Sequence, residues 1–204
     1  MDSPFLFYHG VPRVKIKKML TNDIYMLYNV NKATQEQLLG GENVYNVLDI
    51  SRFIINYCDK KDYSLSNLKL QKILYFVQAY YVSYTESQNP CFKENIEAWD
   101  FGPVVPVAYH EYKRFGSASI PKVTTYIEFD PNDFWNSKLV EYDDSVISIK
   151  DKNIIELLVD KFSQYSTTTL VRITHDQSPW INAHAQGNNN VISIEAIRSY
   201  FNGK

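Results

Sequence analysis

The stretch SNLKLQKILYFVQAYYVSY, residues 66–84, decides the fold. Leu70, Ile73, Leu74, Val77, Tyr80, Tyr81 and Tyr84 recur at three- and four-residue steps, the spacing of one helical face. Just ahead, Ser64 to Asn67 offer short polar side chains that satisfy the free N–H groups of a first turn. The apolar stripe leaves few positions for water, so the segment from Leu68 to about Tyr84 is predicted to be the central helix of a domain. Its apolar tract, Ile73 to Tyr84, is interrupted by Gln78 and Ser83 and falls short of the roughly 18 to 20 residues a bilayer requires. A core helix is expected, with no membrane association.

Working outward, Val44, Val47, Leu48, Ile50, Ile54, Ile55 and Cys58 repeat with helical period up to the charged run Asp59 to Asp62, which predicts a preceding helix. Downstream, Asn89-Pro90 breaks the chain. Ile96 and Ala98 alternate with Glu97 and Asp100, so a short strand or extended arm should end at Gly102-Pro103. Pro103 and Pro106 suit a first helical turn, placing a helix from about Val104 to Phe115, stopped by Gly116. Residues 119–149 read as a loop with one or two short strands. Helices follow at Asp151 to about Tyr165, Thr168 to about Thr174 and Ile194 to Phe201, with Ser166-Thr167 and Ser193 in capping positions. Asn188-Asn189-Asn190 reads as a turn or mobile loop.

Residues 1–44 follow another pattern. Val11, Val14 and Ile16 alternate with Arg13, Lys15 and Lys17, and Thr21-Asn22-Asp23 forms a turn cluster, so a β-hairpin-like extension with a solvated basic face is expected before a linker at Gly40-Gly41. The fold class is α+β and predominantly helical: one compact domain over residues 45–204 with short strands, preceded by that extension.

With 204 residues, 45% of them apolar, and 16 Tyr, 11 Phe and 3 Trp, the chain is no disordered segment and can bury roughly 70% of its unfolded surface. Its 21 basic and 23 acidic side chains leave a net charge of -2, which supplies no global field for a polyanion and argues against nucleic acid as a partner. Cys58 and Cys91 stand apart without metal spacing, and Met1 to Gly10 lacks a basic n-region; both point to a reducing, cytoplasmic setting. Phosphate-loop, dinucleotide and nucleophile-elbow motifs are absent. His110-Glu111 begins like a zinc-protease motif, but Arg114 stands where the second imidazole belongs. His9, His175 and His184 have no second ligand at helical spacing, although His175 and Asp176 could join a site built from distant segments. No cofactor is expected.

Three segments combine bulky aromatics with turn-forming and polar residues: 66–76, 97–106 and 173–180. In one reading Leu70, Leu74, Trp99 and Trp180 fill the core, with His175 or Glu97 accepting an indole N–H. In the other the segments form a site. Lys69 or Gln71, flanking Leu70 on an enclosed helix, should reach a polar pocket or cross to Glu97 or Asp100, because a buried lysine must be paired or neutralised. Gly102-Pro103 stands just before a predicted helix N-terminus able to hold a carboxylate.

At these segments the sequence resembles the Panacea-domain family, which includes phage-associated proteins of the GepA type and antitoxins of the SocA type. The resemblance is carried by Asn67, Lys69, Gln71 and Tyr75 in the first segment, by Glu97, Trp99, Gly102, Pro103, Val104 and Pro106 in the second with Tyr109 after it, and by Thr174, His175, Pro179 and Trp180 in the third. It covers residues 45 to 185. Ile73 replaces a common leucine, and residues 1–44 have no counterpart. Some family members add a DNA-binding helix-turn-helix, for which the extension has too little helical periodicity.

The resemblance implies an antitoxin of a bacterial or prophage type II system that neutralises a cognate protein toxin by direct contact. For SocA-type members it also implies delivery of the toxin to a cytoplasmic protease. On the first reading Phe101, Tyr109, Tyr112 and Phe115 would anchor the partner, and His110, Lys113 and Arg114 would form a polar rim. Self-association remains open. An enzymatic alternative places His175, with Asp176 or Glu97, as a general base beside Trp99 and Trp180; it lacks a nucleophile.

Overall fold

The computed structural model describes residues 43–85, 87–128, 136–187 and 189–203. The predicted hairpin-like extension and the Gly40-Gly41 linker lie outside the described residues. Among the described residues, seven helices and five strands follow in chain order: α1 (Val47–Lys60), α2 (Asn67–Tyr84), β1 (Ile96–Trp99), β2 (Gly102–Val104), α3 (Pro106–Tyr112), β3 (Thr125–Glu128), β4 (Lys138–Glu141), α4 (Ile149–Ser163), α5 (Thr167–His175), α6 (Ser178–Ala185), β5 (Asn190–Ile192) and α7 (Ile194–Phe201). The expected α+β, mostly helical class is what the chain adopts.

Helix starts follow local chemistry. The side chains of Ser66, Ser148, Ser166 and Ser193 accept hydrogen bonds from the amides of Lys69, Asp151, Thr169 and Ala196, and Asn46 caps α1 through Leu48 N. Each such cap contributes about 1 kcal/mol by satisfying an otherwise free N–H.

α2 is the axis of the domain, as its sequence requires. From Lys69 to Ser83 every side chain is buried, and α1, α3, α4, α5, α7 and β2 all pack on it. Phe76 stacks on Phe162 of α4 with ring centroids 4.3 Å apart. Asp151 in the first turn of α4 is buried and accepts from the hydroxyls of Tyr45, at 2.6 Å, and Tyr81, at 2.8 Å. A lone buried carboxylate would be costly; these donors offset that cost and join the entry of the domain to α2 and α4.

The three-stranded sheet has the order β2-β1-β5, antiparallel throughout. Trp99 pairs with Gly102 and Glu97 with Val104, which closes a tight hairpin around Asp100 and Phe101. β3 and β4 form a separate hairpin, held to α1 by the Arg52 guanidinium 3.5 Å from the Tyr126 ring centroid.

Three expectations change. Val104 belongs to β2 because it pairs with Glu97, so the helix starts at Pro106, and its last part, Lys113–Phe115, tightens into a 3-10 turn. The segment after Thr174 carries the additional helix α6, with Pro179 in its first turn. Asn190, placed in a turn by its sequence, opens β5 and pairs with Ala98.

Candidate partner-binding site

The site grows from one face of α2. Asn67, Gln71, Tyr75 and Gln78 follow one another at three- or four-residue steps, so their side chains rise along one side of the helix. Each reaches a separate segment packed on α2. Asn67 Nδ2 donates to the Tyr109 carbonyl at 3.1 Å and its Oδ1 accepts from Gln71 Nε2 at 3.0 Å. Gln71 Oε1 accepts from Val105 N at 2.9 Å, and Tyr75 Oη donates to Gln177 Oε1 at 2.6 Å. Gln78 Oε1 accepts from Cys91 N at 2.8 Å and Phe92 N at 3.2 Å, while its Nε2 donates to Phe92 O at 2.9 Å. At Val105, Cys91 and Phe92 the helix thus supplies hydrogen bonds that a neighbouring strand would otherwise give the backbone, whose burial without partners would cost about 1–3 kcal/mol per group.

Lys69 and Gln71 do not cross to Glu97 or Asp100. Lys69 Nζ donates to the Ser163 carbonyl at 3.0 Å, and Gln71 serves Asn67 and Val105. The fully enclosed cation is the next lysine. Lys72 is 0% exposed and its Nζ donates to the Pro103 carbonyl at 2.8 Å. Burial holds its pKa down at about 7. A clue was present in the sequence: an enclosed helix has no solvent face, and Lys72 lies one turn from both Leu68 and Phe76.

Above Lys72 sits the β1–β2 turn. Gly102 has a φ of +97°, and a Cβ there would lie 2.7 Å from Thr174 Oγ1 and 2.9 Å from Lys72 Nζ. The turn can settle on the amine only because residue 102 has no side chain. From α5, the His175 ring faces the Asp100 backbone, and burial and then the Lys72 charge push its pKa down. Its ring stacks on Trp180 at 4.1 Å, and Trp180 stacks in turn on His184 at 4.6 Å. His184 Nε2 lies 3.2 Å from Asp100 Oδ1, and Trp180 Nε1 donates to the Trp99 carbonyl at 3.0 Å. Glu97 accepts from Trp99 Nε1 at 2.8 Å, as one of the two readings of the indoles anticipated.

The three motif segments therefore meet, with Pro103 on Lys72, Pro106 opening α3, and Pro179 buried in α6. The proposed anchors divide. Phe101 stands 67% exposed at the tip of the turn, and His110 and Lys113 are exposed; Tyr109 is half-buried, its ring 4.9 Å from that of Trp99. Tyr112 is only 4% exposed, facing inward one turn after the buried Ala108, so it is no surface anchor. Phe115 packs partly against the core. Val107 and Ile181, exposed on α3 and α6, were not singled out from the sequence, because an apolar residue in a short helix reads as core.

A general-base pair of His175 with Glu97 is not assembled, since the Glu97 carboxylate binds Trp99. His175 Nε2 and Asp176 Oδ2 are buried without hydrogen-bond partners among the described residues. Those residues also contain no group of three or more His, Cys, Asp or Glu side chains able to hold a metal ion. None of the helices among them is long and apolar enough to cross a membrane.

A curated protein, Antitoxin SocA of Caulobacter vibrioides (strain NA1000 / CB15N), is 36% identical over 73 residues. That match spans 36% of this chain and 36% of the relative, about a third of its length. No solved structure matches. The family model described as antitoxin SocA-like, Panacea domain, matches residues 70–181. That interval holds most of α2, the clamped turn, α5 and the start of α6, more than half of the 204 residues, and the chain belongs to the SocA-like Panacea-domain family.

Proposed function

We propose that this chain is an antitoxin that neutralises a protein toxin by direct contact, with the β1–β2 turn and the exposed side of α3 as the binding surface. One observation carries the placement: Phe101 is 67% exposed on a turn whose backbone is bonded to buried side chains. An aromatic ring on a rigid mount contributes contact area at small entropic cost, and such residues dominate the energetics of interfaces. Val107 extends the apolar centre, Tyr109 supports it from the side, and His110 and Lys113 supply a polar rim. Family membership supports the choice of partner class, since the curated relative is named an antitoxin.

The test is co-expression with the product of each adjacent reading frame. One of them should arrest growth alone and be silent with this chain. Phe101→Ala combined with Tyr109→Ala should abolish rescue and co-purification while stability falls by no more than about 2 kcal/mol, most of it from the lost Tyr109 ring contact with Trp99. Full rescue by that double variant, with Val107→Asp added, would reject the surface. A toxin that disappears from cells, instead of accumulating in a complex, would identify proteolytic delivery as the outcome of binding.

A further inference from the structure

We propose that Lys72, His175 and His184 are positioning residues that hold the Asp100–Pro103 turn from three helices, so that presentation of Phe101 weakens as pH falls toward 7. The geometry is a three-sided clamp. Lys72 of α2 takes the Pro103 carbonyl at 2.8 Å, the His175 ring of α5 faces the Asp100 backbone, and His184 of α6 lies 3.2 Å from the Asp100 carboxylate. None of these contacts falls on Phe101 itself.

The sign follows from which grip is buried. Lys72 has no ion-pair partner among the described residues, and its amine is sealed beneath Gly102. Protonating it in place puts an uncompensated charge into the interior, whereas lifting the turn lets water reach it. The charged groups nearby do not remove this cost. His175 is a like charge when protonated, and Asp176 beside it also bears on Tyr200 of α7, which in turn bears on Tyr75. On α4, Asp151 is engaged by Tyr45 and Tyr81, and Asp160 by Tyr57 and Tyr63. On α1, Arg52 pairs with Asp49, and α3 turns only the Tyr109 carbonyl toward Asn67. The His184–Asp100 pair, with side chains 30% and 72% exposed, is screened by solvent.

Lys72 titrates at about 7 in place and at 10.5 when solvated. Well above 7 the proton belongs to the open form and the closed population gains up to about tenfold per pH unit; because the closed form is itself half protonated at 7, the gain from pH 7.0 to 8.5 is about 15-fold. The pKa of His175 is lowered from 6.5, which leaves it outside that window.

Hydrogen exchange of the full chain, followed by mass spectrometry and corrected for intrinsic rates, reads the turn directly. Peptides covering residues 100–106 should gain about 15-fold protection between pH 7.0 and 8.5, relative to peptides from residues 154–162 in α4. Lys72→Met should lack that gain. Flat protection in the wild-type turn overturns the proposal without reference to any variant, as does an equal gain in Lys72→Met. The functional consequence rests on the binding surface proposed above. The exchange measurement needs no partner, so failure of the clamp and failure of the toxin-binding reading are separate results.

Discussion

Replacing Gly102 with alanine adds one methyl group at the point where the motif segments converge. The added Cβ would lie 2.7 Å from Thr174 Oγ1, on a short side chain with little freedom, and 2.9 Å from Lys72 Nζ, at the end of a longer one. Overpacking of this kind costs about 1–3 kcal/mol. A φ of +97° adds about 1–2 kcal/mol for any residue bearing a Cβ. The total, about 2–5 kcal/mol, is a large part of the 5–15 kcal/mol that holds a domain of this size together. Equilibrium urea unfolding at pH 7.5 should therefore show a midpoint lowered by about 1–2 M at unchanged slope. Thr174→Ala removes the nearer obstacle. Thr174 Oγ1 otherwise donates only to the Val171 carbonyl, one turn back, so that change alone should cost about 0.5–1.5 kcal/mol. In the double variant at least about 1 kcal/mol of the Gly102→Ala loss should return, a coupling well above the roughly 0.3–0.5 kcal/mol scatter of independent sites. A loss below about 1 kcal/mol for Gly102→Ala, or strict additivity of the two changes, would refute the seating of the turn on Thr174 and Lys72.

Further outcomes follow from the same interior. Gln78→Leu leaves Cys91 N, Phe92 N and Phe92 O without partners and should cost about 2–4 kcal/mol in urea unfolding, with exchange at residues 91–92 rising before that of α4. Both cysteines are buried, and burial pushes the Cys58 thiol up to about 11, so a thiol-disulfide reagent at pH 8 should label neither until the chain unfolds. Because the Cys58 pKa is raised by folding, its contribution is complete below pH 9 and is lost as pH rises toward 11. Cys58→Ala should lessen the alkaline decline in stability over that window by up to about 1.4 kcal/mol per pH unit.

Much of this architecture could be read from local patterns, because local chemistry sets the helix starts. The serines before α2, α5 and α7 cap where their spacing indicates, and the enclosed period of residues 68–84 does mark the central helix. Legibility fails where a residue's role is fixed by something distant in the chain. Val104 carries no sign that Glu97 will take it as a strand partner, and α6 is short, with a proline in its first turn that also serves as a breaker signal. The site was legible as three motif segments but not as an assembly. The enclosed period of α2 hints that Lys72 is buried, but its seat beneath Gly102 depends on a turn 30 residues on and shows only in the packing. Tyr112 shows the converse: in a seven-residue helix the period is too short to say which tyrosine faces inward, and Ala108 decides it.

The polar row on α2 bears on how such proteins could diversify. Asn67, Gln71, Lys72 and Tyr75 spend their bonding capacity on backbone and side-chain atoms of the same molecule, so a search for recognition determinants among the motif letters would chiefly recover instructions for building the mount. Positions such as Phe101, Val107 and Lys113, exposed around that mount, can vary without disturbing it. A library randomised at these positions alone should yield well-folded chains with altered preferences, whereas one that includes the row on α2 would be dominated by chains that never fold.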